Sequence, residues 1–166
     1  DVPIAVDSPS PDSILGALPF CNKPGLVNSV SGEGDKIAKI FPVIADTKWE
    51  CVALCCDDTG IPKSAADRLR VFDHIMEEAK KYNIDPSRLH IDPLVEMLCT
   101  TDDAMANLAE VMTKIKDQYP TIHITGAVSN ISFNLPYRKI VNLCFMVLSM
   151  KEGLDSAIFD PLNRDL

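Results

Sequence analysis

The chain has 166 residues, 46% hydrophobic and 24% charged: enough for one domain with a real core, and too evenly mixed for a fibrous repeat or a disordered tract. Its 16 basic residues are dispersed among 24 acidic ones, for a net charge of -8, which argues against a nucleic-acid backbone as partner. Charge interrupts every apolar stretch before the ~18 residues of a membrane span, and Asp1-Val2-Pro3 shows no secretory signal, so a cytoplasmic protein is expected.

Short apolar runs predict strands at Pro3–Asp7, Gly25–Ser29, Cys51–Cys56, Leu89–Asp92, His123–Val128 and Ala157–Asp160, with amphipathic, helix-period segments between them. After the third run, Ser64-Ala-Ala-Asp67 reads as a capping box that opens a helix with Leu69, Phe72, Ile75, Met76 and Ala79 on one face. A second helix follows Asp102 and Asp103 and aligns Leu108, Val111, Met112 and Ile115. The last spans about Arg138 to Glu152 and stops at Gly153. Its wide apolar face (Ile140, Val141, Cys144, Phe145, Val147, Leu148) predicts burial on two sides, by neighbouring helices or by a second subunit.

The 6 cysteines include no CxxC pair and no histidine at ligand spacing, so they are expected to be reduced, buried small hydrophobes, with no metal bound. His74, His90 and His123 each read as surface or packing residues. There is no phosphate-cradling glycine loop and no nucleophile elbow.

Strand and helix alternating six times predict parallel strands with right-handed crossovers, in either a doubly wound sheet or a barrel. The polar residues decide between them. Asp7, Asn28, Asp92, Asn130 and Asp160 lie at or just past strand ends; in a barrel these ends converge on one mouth, whereas in an open sheet they are strung along an edge. Any one of them could be a helix cap or turn residue. Five at matching places suit a ligand rich in ring N–H and amino donors, because carboxylates accept such donors and carboxamides both donate and accept. The predicted fold is therefore a (β/α)8 TIM barrel of which about six βα units lie in this chain. Residues 1–166 are expected to form one barrel domain, with the first two βα units and a C-terminal tail outside it.

Several segments resemble the methyltetrahydrofolate:corrinoid protein methyltransferases. Gly126-Ala-Val-Ser-Asn-Ile-Ser132, then Leu135-Pro-Tyr-Arg138, then Gly153-Leu-Asp-Ser-Ala-Ile158 are similar to that family's closing motif. Val6-Asp-Ser8, Leu26-Val-Asn-Ser29 and Ile91-Asp-Pro-Leu94 resemble three of its strand ends, and Thr59-Gly-Ile-Pro-Lys63, with Asp67 and Arg68 after it, one of its loops. Two departures stand out: Ala127-Val128 replaces the family's usual Gly-Leu, and Asn134 stands where relatives often have glycine.

The resemblance implies a pterin-binding barrel, usually homodimeric, that acts on 5-methyltetrahydrofolate and docks a separate protein carrying cobalamin. It implies that Asp7, Asn28 and Asp92 bind the pterin ring and that Asn130 sits near N5 as the catalytic residue. Ser129, Arg138 and Asp160 are further substrate-binding candidates. Two alternatives remain: a dihydropteroate synthase-like enzyme, a family that usually has Ser-Arg-Lys where this chain has Ser129-Asn130-Ile131, and an inactive barrel fragment serving as a binding module.

Overall fold

Alternation along the strands sets which side of the sheet is dry. Leu89 and Ile91 are fully buried, while His90 between them is half-buried against other polar groups. The same phase holds for Val27, for Cys51, Ala53 and Cys55, and for Ile124; all join one hydrophobic cluster with residues of the helices. The computed structural model describes residues 2–160 and 162. In chain order its elements are β1 (Ala5–Asp7), α1 (Pro11–Ala17), β2 (Leu26–Gly32), α2 (Lys36–Ile44), β3 (Glu50–Asp57), α3 (Ala65–Lys81), β4 (Leu89–Asp92), α4 (Ala104–Gln118), β5 (His123–Ile124) and α5 (Arg138–Lys151).

The five strands form one sheet in the order β1-β2-β3-β4-β5, every neighbouring pair parallel. Strand order equal to sequence order is the wall of a barrel; a doubly wound sheet would reverse direction at a switch point. Among the described residues no helix is long and apolar enough to cross a membrane.

The predicted helices form where the apolar spacing placed them. Ser64 caps α3 by accepting the Asp67 N–H at 3.1 Å, and its hydroxyl donates to the Asp67 carboxylate at 2.7 Å. Phe72, Ile75, Met76 and Ala79 are buried, as is the whole predicted stripe of α4.

Three expectations need correcting. The predicted sixth strand at Ala157–Asp160 is a single bridge, Ile158 to Ala127, and the described residues therefore hold five strands and not six. The predicted strand His123–Val128 ends at Ile124, because Val128–Ser132 winds into a 3-10 turn. Cys99 and Cys144 are exposed, whereas Cys51, Cys55 and Cys56 are buried; burial pushes the Cys51 thiol up to about 12, which makes it inert. On α5, Phe145 is buried, but Ile140, Val147 and Leu148 are at least half exposed. Only one side of that helix is covered by the described residues.

Gly25 shows how tightly β1 is held. A Cβ there would lie 2.2 Å from the Ile4 carbonyl oxygen, the same oxygen that accepts the Leu26 N–H at 3.1 Å. Gly25→Ala must move that backbone, and it is expected to cost about 3 kcal/mol. The check is a lower urea midpoint at unchanged m-value.

Candidate functional site

Asp7 and Asn28 are register partners at the ends of β1 and in β2, and Asn28 is in turn opposite Val52 of β3. Asp92, the last residue of β4, is opposite Leu54, two residues further along β3 and on the same sheet face. Directly after Asn28 the register with β3 slips, so Ser29 has no partner of its own, and the Asn28–Ser29 peptide is cis. A bulge of this kind re-aims the side chains around it. Three of the predicted polar residues thus stand on one face, at the same end of the sheet.

Asp92 is the most constrained of them. Its side chain is 7% exposed, and one carboxylate oxygen accepts the Leu94 N–H at 2.8 Å. Burial raises its pKa to about 6, and the Leu94 hydrogen bond only partly opposes that rise. Leu94 itself has φ +66, the left-handed region, so the turn after Asp92 is held against a conformational cost.

Beyond this turn the chain lines a cleft of about 400 Å³, walled by Ile61, Val95, Glu96, Met97, Thr100, Asn130 and Phe133. Asn130 lies in the 3-10 turn at Val128–Ser132, and its backbone is satisfied: N–H to the Ala127 carbonyl and C=O from the Phe133 N–H, both 3.1 Å. Neither its carboxamide nor that of Asn28 has a protein partner among the described residues. Both are open to a ligand.

The other candidates fall differently. Arg138 is tied into its own loop, donating from Nε to the Ser132 hydroxyl at 3.0 Å and from Nη2 to the Ser129 carbonyl at 2.9 Å, with its guanidinium 5.4 Å from the Phe133 ring centre. Arg138 therefore braces the turn that carries Asn130. Ser129 takes part through its backbone, and its side chain is exposed. Asp160 is exposed, accepts the Leu162 N–H at 2.9 Å, and does not line the cleft.

Sequence reasoning did not single out Ile61, Glu96 or Phe133. Ile61 falls in the loop that resembled a family motif; Glu96 and Phe133 come from irregular segments where no period marks a wall. It also missed the polar end of β3. Asp57 accepts from the Thr59 hydroxyl and from Arg70, which together hold its carboxyl down to about 2, fastening the loop that carries Ile61. His90 and His123 stack on each other at 4.7 Å, with Glu50 and Ser156 at the ring nitrogens of His90 and Asp155 at His123, away from the cleft. Packing is what they do. Among the described residues no group of three or more His, Cys, Asp or Glu is arranged to hold a metal ion.

Comparison with known proteins agrees with this geometry. The family described as pterin binding enzyme matches residues 1–160. A methylcorrinoid:tetrahydrofolate methyltransferase from Eubacterium limosum is 46% identical across all of this chain, which spans 62% of that relative. A methionine synthase from Mycobacterium tuberculosis is 27% identical over 98% of the chain, which covers 15% of that larger protein. Among solved structures, a dihydropteroate synthase from Xanthomonas albilineans, in complex with indole-2-carboxylic acid and 6-chloroguanine, superposes with a TM-score of 0.65. It is 17% identical, and the match covers 94% of this chain and 58% of that one, a likeness of fold alone.

Proposed function

The chain belongs to the pterin-binding enzyme family, and from that premise we propose that it is the pterin-binding part of a methyltransferase. The reaction moves the N5-methyl group between 5-methyltetrahydrofolate and the cobalt of a corrinoid carried by a partner protein. The observation that carries this reading is Asn130, a carboxamide without a protein partner among the described residues, lining a largely apolar cleft. A synthase acting on a pterin diphosphate needs cations there, and neither Ser129, Asn130 nor Ile131 supplies one. The relative from Eubacterium limosum supports the same choice.

In this reading Asp7, Asn28 and Asp92 hold the aminopyrimidine edge of the pterin. The nitrogen that leaves the methyl group is a tertiary amine, a poor leaving group until it gains positive character. As that nitrogen takes up a proton from solvent it becomes an N–H donor, and the Asn130 carboxamide oxygen accepts from it a hydrogen bond that the neutral amine cannot make. An interaction made stronger only as charge develops lowers the barrier without merely tightening substrate binding. The cobalt is the partner's cargo, and cytoplasmic location is expected. The βα units that would complete the barrel, and a second copy of the chain against the exposed side of α5, are part of the same proposal.

The test is anaerobic methyl transfer from 5-methyltetrahydrofolate to free cob(I)alamin by the full gene product, followed by cobalt absorbance. Conversion that depends on the enzyme is the expected result. Folate binding without transfer, even with a corrinoid protein supplied, would return the pocket to synthase-type chemistry. No folate binding at all would leave a non-catalytic module.

A further inference from the structure

Arg68 is the largest fully buried side chain among the described residues, 1% exposed. It sits in the first turn of α3, yet its side-chain hydrogen bonds go to the loop that follows β4. Nε donates to the Pro93 carbonyl at 2.7 Å, and Nη2 donates to the Glu96 carboxylate at 2.5 Å. That loop begins with the Asp92 carboxylate bound to the Leu94 N–H and ends with the Leu98 N–H on the Ile131 carbonyl at 3.1 Å. Ile131 follows Asn130 directly. The segment from Asp92 to Leu98 is thus a strap between two of the residues assigned to the pterin, and the Arg68 side chain grips it midway.

We propose that Arg68 is a positioning residue: its guanidinium fork clamps this strap and so fixes where Asp92 and Asn130 stand relative to each other. The proposal rests on the reading above, in which those two residues share one pterin. Three observations favour it over a purely structural part. The strap contains a leucine at positive φ, a conformation that persists only when neighbours over-determine it. Glu96, the partner of the fork, is itself a wall of the cleft. Nη1 of Arg68 is buried without a hydrogen-bond partner among the described residues, so the arginine is seated for the loop and not for its own satisfaction. A buried ion pair is in any case weak ground for stability, since desolvation offsets most of its attraction.

The discriminating change is Arg68→Lys, which keeps the charge but cannot grip a carbonyl and a carboxylate as a planar fork does. In the full gene product, tetrahydrofolate affinity and methyl-transfer kcat are measured well below the melting temperature of each variant. Misplacement of reacting groups by about 1 Å costs up to 100-fold, so kcat is expected to fall about 10- to 100-fold and the folate Kd to rise about 10-fold. A folded lysine variant whose kcat and Kd stay within about twofold of the parent, with only its melting temperature lowered, overturns the proposal. If the lysine variant does not fold, Arg68→Met combined with Glu96→Gln carries the same readouts, because it removes the clamp without stranding a buried charge. The parent protein separates the two ideas. A parent that binds folate but transfers no methyl group sinks the reaction, while the Kd arm still decides the clamp; a parent that binds no folate sinks both.

Discussion

Asn130→Ala should lower kcat for methyl transfer by roughly 100- to 1000-fold, the ~3–4 kcal/mol that one transition-state hydrogen bond is worth. The folate Kd should change by less than about fivefold, because the carboxamide bond is weak until N5 takes up charge. The fold should not suffer: Asn130 is exposed, and both of its hydrogen bonds are made by backbone atoms that alanine also has. Single-turnover transfer with saturating folate, set beside equilibrium binding of the same folate, separates the two quantities. Equal losses in rate and affinity would make Asn130 an ordinary binding residue and remove the proposed source of N5 activation.

Asp92→Asn should do the opposite to stability and to binding. The folded protein holds this carboxyl near 6, against 3.8 for an unperturbed aspartate. Below the lower value it is neutral whether the chain is folded or not, and burial carries no electrostatic penalty. Above the upper value it must ionise inside the protein, so the unliganded fold is less stable by about 3 kcal/mol at neutral pH than below pH 4. That stability is lost as pH rises from about 4 to 6. Asparagine keeps the acceptor for the Leu94 N–H and never ionises, so the variant should melt higher than the parent at pH 7.5 and at the same temperature near pH 4.

Binding runs the other way. The paired donors of an aminopyrimidine need the carboxylate, and the variant is expected to bind folate roughly 100-fold more weakly. In the parent, folate affinity should weaken as pH drops below about 6, while the variant stays flat in that range. Thermal denaturation and folate titration between pH 4 and 8 check both halves. A variant that melts no higher than the parent at pH 7.5 would show that burial does not penalise this carboxylate as argued.

Much of the molecule was legible in the sequence because period and polarity carry it. Leu89–Asp92 was read to the residue, since its apolar positions alternate and an aspartate ends it. Leu108, Val111, Met112 and Ile115 repeat at helical spacing, and all four are buried. The misreadings have physical reasons. His123–Val128 looked like a strand by composition, but its pairing with β4 ends at Ile124 and Val128–Ser132 winds into the turn that carries Asn130. Ala157–Asp160 is equally apolar, but it meets the sheet at a single bridge. Cys144 shares its stretch with large apolar residues that the described residues leave uncovered, so composition alone suggested a burial that depends on a neighbour.

Of the residues that wall the cleft, only Asn130 was singled out in advance, just past a predicted strand; the others could not be. Glu96 lines the cleft while paired with Arg68, 28 residues earlier. Pairings at such separations leave no trace in local spacing.

The strand order has a consequence for how the chain folds. Each strand pairs only with the strands one crossover away, so every sheet contact closes a loop of one βα unit. Loops of that length cost far less chain entropy than pairing distant termini, and folding rates follow contact separation. The wall can therefore grow strand by strand in the direction of synthesis, each new unit docking on a surface already formed. The lone bridge at Ile158 would then be the last step of that growth within this chain, added after β5 and the turn that carries Asn130 are in place.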